Sequence, residues 1–293
     1  MNPAQDKAAS LQEVKNFWES NPLFFGEFDG DLGSKGYFEE HEKVVIDDCM
    51  AGELDDRFFN FLESGGSILD IGCGPGFWVR QLCRMGLNVF ACDLSTTAVE
   101  LTKKSLELYS LTAHLFAGNA ENLPYKEEAF DYINCQGVIH HTPNTAGCIG
   151  EFFRVLKPGG LVCFSVYHRN FLLRSPILLR MVSAILSRRV GLKGRGRENI
   201  LRKSDPDEIV RRFDGEDNPL GKSYSVGEML NMIRSNSLIP IKTWHHYFPA
   251  RAFHLKIPKR LHKVLNDCFG LLTVYLAKKP KKQKKITSLE ACE

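Results

Sequence analysis

From Ser67 onward, short apolar runs alternate with amphipathic ones. Ser67 to Ile71 reads as a buried strand, Gly72 to Gly76 as a turn, and Phe77 to Met85 as a helix with Gly86 just past its end. Leu87 to Cys92 is the next strand, and Thr96 to Tyr109 the next helix, with Ser95 placed to cap it. Ala113 to Ala117 and Phe130 to Cys135 have the length and composition of further strands. Ala146 to Leu156 is helical and stops at Lys157-Pro158-Gly159-Gly160; Leu161 to Tyr167 is a strand, apolar but for one serine. Such alternation predicts right-handed βαβ units and a parallel sheet covered on both faces. Past His168 the pattern changes. Phe171 to Val190 is apolar with interspersed arginines, and Gly191 to Lys222 is charged and predicts loops and short helices. Val226 to Ser235 then reads as a helix, and Pro240 to Phe248 and Leu271 to Lys278 as the last strands. Lys278 to Lys285 forms a lysine-rich tail that reads either as a solubilising extension or as a contact for RNA or anionic lipid.

Composition changes this picture little. The 293 residues are 43% hydrophobic and 25% charged, the balance of an ordinary globular protein, and a net charge of +3 does not by itself select nucleic acid or membrane as partner. No stretch approaches the ~18 uncharged apolar residues of a spanning helix. The nine cysteines include no Cys-x-x-Cys pair, and several sit in apolar runs; with the polar start Met1 to Asp6 this predicts a cytoplasmic, reducing setting.

The chemistry concentrates at the turn after the first strand. A strand running into Gly72-x-Gly74-x-Gly76 and a helix suits a nucleotide: glycines tolerate positive φ, admit a ligand close to the backbone, and precede unpaired N–H donors at the helix start. A dinucleotide fingerprint starting at Gly72 would need glycine where Phe77 stands. The acid before the first glycine, Asp70, suits a cationic amino-acid moiety better than a pyrophosphate. Leu69 to Gly76, then Gly118 to Tyr125 with Ala129 to Ile133, and Arg154 to Gly160 closely resemble, in order, the motifs of class I S-adenosylmethionine (SAM)-dependent methyltransferases, nearest the type 11 subgroup with its ubiquinone/menaquinone methyltransferases. The resemblance spans roughly Ser67 to Tyr167. It implies an α/β fold, a Rossmann-like seven-stranded mostly parallel sheet with helices on both faces, an N-terminal helical lid and an insert after the fifth strand. The divisions expected are 1–64 for the lid, 65–170 for the SAM-binding core, 171–235 for the insert, 236–278 for the final strands and 279–293 for a basic disordered tail.

The resemblance also assigns residues. Gly72, Gly74 and Gly76 would line the methionine part of SAM, with Asp70 facing its ammonium. Asp93 would accept from both ribose hydroxyls, or else serve only as a helix cap beside Ser95. Leu94 would cover the adenine, and Asn119 and Ala120 would meet its edge. Asn119 departs from the family's usual aspartate, though an amide oxygen still accepts. Gln136 would lie at the sulfonium end. S-adenosylhomocysteine (SAH) is the implied product, and no metal is required.

His140 and His141 follow the fourth strand, at the crevice of a doubly wound sheet, and resemble the subgroup's paired histidines. Either is a candidate general base, or a residue that fixes the loop through backbone hydrogen bonds. No carboxylate or thiol stands at ligand spacing for a metal. Trp18 and Tyr37, from the aromatic stretch that includes Phe24, Phe25 and Phe28, are candidates for the lid or for core packing; His168, Tyr224 and His246 are candidates for facing the acceptor. Phe171 to Val190 is a cover for its own domain or a surface for a lipophilic acceptor or membrane. The expected activity is methyl transfer to a small or medium organic acceptor. The rivals are an RNA-directed methyltransferase, a non-catalytic SAM-binding protein and, more distantly, a nicotinamide oxidoreductase.

Overall fold

A computed structural model describes residues 9–23, 31–170, 175, 200, 205–252 and 256–281. Phe24, Phe25 and Phe28, the apolar stretch 171–190 apart from Ser175, and the tail beyond residue 281 lie outside the described residues. The strands are β1 (Ser67–Ile71), β2 (Asn88–Asp93), β3 (His114–Ala117), β4 (Phe130–Gln136), β5 (Leu156–His168), β6 (Ser223–Tyr224), β7 (Ile239–His246) and β8 (Leu272–Lys278). The helices are α1 (Leu11–Ser20), α2 (Lys35–Val44), α3 (Phe77–Arg84), α4 (Thr96–Leu108), α5 (Thr145–Val155), α6 (Pro206–Phe213), α7 (Val226–Ser235) and α8 (Lys259–Phe269).

The sheet runs β3-β2-β1-β4-β5-β8-β7, with the two-residue β6 added beside β5. β1 to β5 are parallel, and only β8 runs against its neighbours. Its two faces explain the nearly continuous burial of β1. Leu69 and Ile71 enter a core with Phe152 and Val155 of α5 and Met229 and Ile233 of α7, while Ile68 packs with Val79 and Leu82 of α3 and Leu106 of α4. The strand order reverses between β1 and β4, so a crevice opens beyond their carboxyl ends.

Three elements differ from the expectation: the two-residue β6 beside β5 makes the sheet eight-stranded instead of seven-stranded, and two further differences lie in β5 and after β7. Lys157-Pro158-Gly159-Gly160 is absorbed into β5: Leu156 pairs with Phe130, and the next pair is Leu161 with Tyr132, so the motif is a bulge in the strand, with Gly159 at φ 86°. Between β7 and β8, where strands alone were expected, stands α8. Its exposed face carries Leu261 and Val264, with only His262 and Asn266 buried, so it lacks the buried apolar stripe from which a core helix is read.

Candidate active site

The turn between β1 and α3 has the left-handed backbone its glycines allow, with φ of 77°, 50° and 83° at Gly72, Gly74 and Gly76. Gly72 lies under Val138, Gly76 caps α3 against Thr102, and Gly74 faces open space. Asp93, ending β2, accepts from the Gly74 N–H at 3.0 Å and the Ser95 N–H at 2.9 Å. Burial raises its carboxyl above the ordinary range; the backbone N–H bonds oppose the rise, and the nearby Glu19 adds to it. Asp93 thus braces the turn and the start of α4 and also lines the cleft. Behind the turn the fully buried Arg80 reaches the Pro75 carbonyl and pairs with Glu42 of α2 at 2.8 Å.

The cleft above the turn encloses about 890 Å³, its open mouth included. Gly72, Gly74, Asp93, Leu94, Asn119, Ala120, Gln136 and His141 share its wall with Leu11, Val14 and Trp18 of α1. Asn119 turns its amide oxygen to the Glu121 N–H at 3.0 Å, which holds the loop and leaves that oxygen a second lone pair. Asp70 is not on this wall. It is 1% exposed, and Asn134 donates to its Oδ1 at 2.6 Å. Gln136 in turn donates to Asn134 Oδ1 at 2.9 Å and to the Cys163 carbonyl at 3.0 Å. That chain fixes the Gln136 amide with its buried Oε1 unpartnered, so Asp70 bears on the cleft through two amides instead of directly.

Burial pushes the Asp70 carboxyl up to about 7, a rise that the Asn134 bond opposes and Asp93 reinforces. Because this value lies above that of the unfolded chain, ionising Asp70 costs stability as pH rises from about 4 to about 7. Asp70→Asn is expected to remove that loss, so its melting temperature at pH 8 without ligand should exceed the wild type's, with the difference vanishing near pH 4. Melting curves that differ equally at both pH values would contradict this.

Glu19 on α1 is a feature the sequence reading did not single out. Its carboxylate accepts from Ser95 Oγ at 2.6 Å, Thr97 N at 2.8 Å and Thr96 N at 3.1 Å, tying α1 to the N-terminus of α4. Burial raises its carboxyl, but the bonds from Ser95, Thr96 and Thr97 outweigh it and bring the value down to about 2. A depressed value means the tie is complete above the unfolded carboxyl's range, near 4.5, and is lost as pH falls toward 2. Glu19→Ala is expected to speed SAH release at least threefold, measured by stopped-flow Trp18 fluorescence, with a modest fall in thermal stability. Unchanged release would show that α1 stays closed without the tie.

A second cleft, about 1170 Å³ with its open mouth included, adjoins the first, and Trp18, Gln136, Gly137 and His141 are among the residues that line both. Trp78, Tyr167, Phe213, Tyr247, His140 and His246 make its wall largely aromatic. His140 is 1% exposed, and burial, with His141 beside it, holds it well below the usual histidine range and therefore neutral; a backbone hydrogen bond with Ser165 opposes that fall. Burial likewise brings His246 down to about 4. His141 has both ring nitrogens engaged, Nδ1 at 2.6 Å from the Leu220 carbonyl and Nε2 at 3.2 Å from Asp214 Oδ2. The chain around Leu220 is itself fastened to the paired-histidine turn, because the Lys222 N–H donates to the His140 carbonyl and its ammonium to the carbonyls of Thr142 and Pro143.

Of the acceptor and lid candidates, Trp18 and His246 reach the clefts and the others do not. Tyr37 is 3% exposed in a cluster with Phe38 and Leu101, and its hydroxyl donates to the Leu23 carbonyl, so core packing explains it. His168 stacks on His245, with ring centroids 4.2 Å apart, and the Tyr224 hydroxyl donates to Thr145. Gly76 also stays off the wall, because its place is beneath α4. Among the described residues no group of three histidines, cysteines or carboxylates is arranged to hold a metal ion.

A glycine turn at the head of a parallel sheet, braced by the acid that ends the next strand, defines a nucleotide-binding α/β domain. Residues 69–164 match the family described as a methyltransferase domain. A ubiquinone biosynthesis O-methyltransferase from Coxiella burnetii is 31% identical over 107 residues, 36% of this chain and 46% of that protein. Its namesake from Sodalis glossinidius is 27% identical over 177 residues, 58% of this chain and 66% of that protein. The chain thus spans about half to two thirds of the curated relatives it matches. A solved SAM-dependent methyltransferase from Methanosarcina mazei shares the fold with a TM-score of 0.53 and 19% identity, over 78% of this chain and 99% of that one.

The residues present fit SAM. The Gly74 position opens into the cleft where a side chain would intrude, the carboxylate of Asp93 stands beside it, and the unpartnered Gln136 oxygen sits where the two clefts meet.

Proposed function

We propose that the chain transfers a methyl group from SAM to a small or medium organic acceptor at oxygen, carbon or nitrogen. The observation that carries this reading is the pair of adjoining clefts, one built on the glycine turn and Asp93, the other aromatic, sharing Trp18, Gln136 and His141. SAM supplies an electrophilic methyl group with a neutral leaving group. Gly72, Gly74, Asp93, Leu94, Asn119 and Ala120 hold it, α1 covers it, and the aromatic cleft aligns the acceptor and excludes water. The relatives named O-methyltransferase favour oxygen as the atom methylated. The absence of lysine and arginine from the aromatic wall, among the described residues, weighs against an RNA acceptor. In this reading α1 forms the lid and α6 with Asp214 belongs to the acceptor cover, while 65–170 and 236–278 form the core together with α7, which was expected in the cover but buries Met229 and Ile233 against the sheet. The free thiols of the described cysteines suit a reducing, cytoplasmic setting.

Calorimetry with SAM, SAH and NAD tests the donor. Micromolar binding of SAM and SAH with none of NAD is expected, and NAD binding in their place would overturn the reading. SAH formation from SAM on incubation with a small-molecule cell extract, and its failure with purified RNA, would separate transfer from mere binding.

A further inference from the structure

The aromatic cleft contains one carboxylate among its described wall residues, Asp214, and neither lysine nor arginine. Asp214 follows α6, so the chain beyond β5 delivers it to the cleft. The hydrogen-bond arithmetic around it is specific. The Leu220 carbonyl can only accept, so His141 Nδ1 donates to it at 2.6 Å, which leaves Nε2 to face Asp214 Oδ2 at 3.2 Å. The Tyr167 hydroxyl donates to the same oxygen at 2.7 Å. With both ring nitrogens engaged, His141 offers neither to an acceptor, and His140 keeps only 1% of its surface exposed. Asp214 differs. Its Oδ2 is held twice, while its Oδ1 accepts no hydrogen bond from the described residues, and the side chain keeps 14% of its surface open. Through His141, which lines both clefts, this carboxylate stands one side chain from the place where they join.

We propose that Asp214 takes the proton from the methyl acceptor, that His141 and Tyr167 are the positioning residues that aim its free Oδ1, and that the acceptor is an uncharged or cationic aromatic molecule bearing a hydroxyl or an ammonium. The inference rests on the methyltransferase reading. Its step balances as follows. The acceptor's O–H or N–H bond breaks and its proton passes to Asp214 Oδ1. The electron pair left behind forms the new bond to the methyl carbon. The pair of the broken carbon–sulfur bond stays on sulfur, leaving SAH, and the open cleft returns the proton to water. The wall explains the acceptor class. Aromatic rings stack on Tyr167, Trp78 and Phe213, and an ammonium is welcome beside rings and a carboxylate. A carboxylate or phosphate on the acceptor would meet Asp214 with no cation on the described wall to offset it.

The test uses the full chain with four probes, catechol, dopamine, benzylamine and 3,4-dihydroxybenzoate, followed by calorimetry with SAH bound and by SAH release with SAM. At least one of the first three should bind and be methylated, with 3,4-dihydroxybenzoate at least tenfold weaker. Asp214→Asn should lower kcat for that probe at least 100-fold while SAM affinity stays within threefold, and Asp214→Glu should recover part of the loss. Independently of turnover, proton–nitrogen spectra of the SAH complex should contain a slowly exchanging His141 Nε2–H signal that is lost in Asp214→Asn and weakened in Tyr167→Phe. Preferred binding of 3,4-dihydroxybenzoate, binding of no probe at all, kcat of Asp214→Asn within threefold of wild type, or an Nε2–H signal indifferent to Asp214 would each overturn the inference while SAH binding leaves the donor site intact. Failure of both SAM and SAH to bind would instead overturn the methyltransferase reading beneath it.

Discussion

Asp93→Ala is expected to weaken SAM binding at least tenfold, with 100-fold within reach, while the protein remains folded. Two losses combine. The carboxylate is the group at the end of β2 that can accept from a vicinal diol, and hydrogen bonds to a charged group contribute about 1.5–3 kcal/mol each. The same carboxylate also accepts from the N–H groups of Gly74 and Ser95, so its removal frees the turn that forms the opposite wall. Asp93→Asn separates the two losses. Its amide oxygen can keep one backbone N–H, but its NH2 must face the other, so affinity should fall nearly as far with less effect on stability. Calorimetry of the three proteins with SAM and SAH, beside their melting curves, measures both. Unchanged affinity in Asp93→Ala would reduce Asp93 to a structural brace.

The part of the fold legible in the sequence is the part where local and long-range demands coincide. Strands β1, β4 and the end of β5 are buried on both faces and read as apolar runs; the Ser95 cap is seen where it was expected, accepting from the Ala98 N–H. α8 was illegible because its outer face keeps Leu261 and Val264 exposed while the residues it buries are polar, so periodicity points the wrong way. In the site, Gly72, Gly74, Asp93 and Gln136 come from contiguous motifs and their placement follows from them. Asp214 and Glu19 do not. Each is an acid near a helix end, Glu19 within the last turn of α1 and Asp214 just past α6, and such residues are common on surfaces. Only the packing of α1 on α4, and of the chain after β5 on the paired-histidine turn, gives them partners. Asp70 illustrates the reverse case, where the motif position was legible but the path from its carboxylate to the cleft runs through Asn134 and Gln136, two side chains whose orientation no spacing rule specifies.

The glycine turn offers a sharper test, because neighbouring alanine substitutions should fail in different ways. At Gly72 an added Cβ would stand 2.1 Å from Val138 Cγ2 and 3.0 Å from its Cγ1, on a backbone at φ 77°. Left-handed strain costs about 1–3 kcal/mol and overpacking a further 1–3 kcal/mol. For a chain of this size that corresponds to a melting temperature lower by roughly 5–15 °C. At Gly74, φ is 50° and a Cβ meets nothing within 4 Å, so the fold bears only the backbone strain. There the methyl group projects into the space that SAM is proposed to fill, beside the N–H that Asp93 holds. Gly74→Ala should therefore lose only a few degrees of stability but at least tenfold in SAM affinity, whereas Gly72→Ala should lose stability first. Adding Val138→Ala to Gly72→Ala removes the clash but not the strain, and should restore about half of the lost melting temperature. A Gly74→Ala protein that binds SAM as tightly as wild type would show that the ligand does not lie against this turn. A Gly72→Ala protein with unchanged melting would show that Val138 yields without cost.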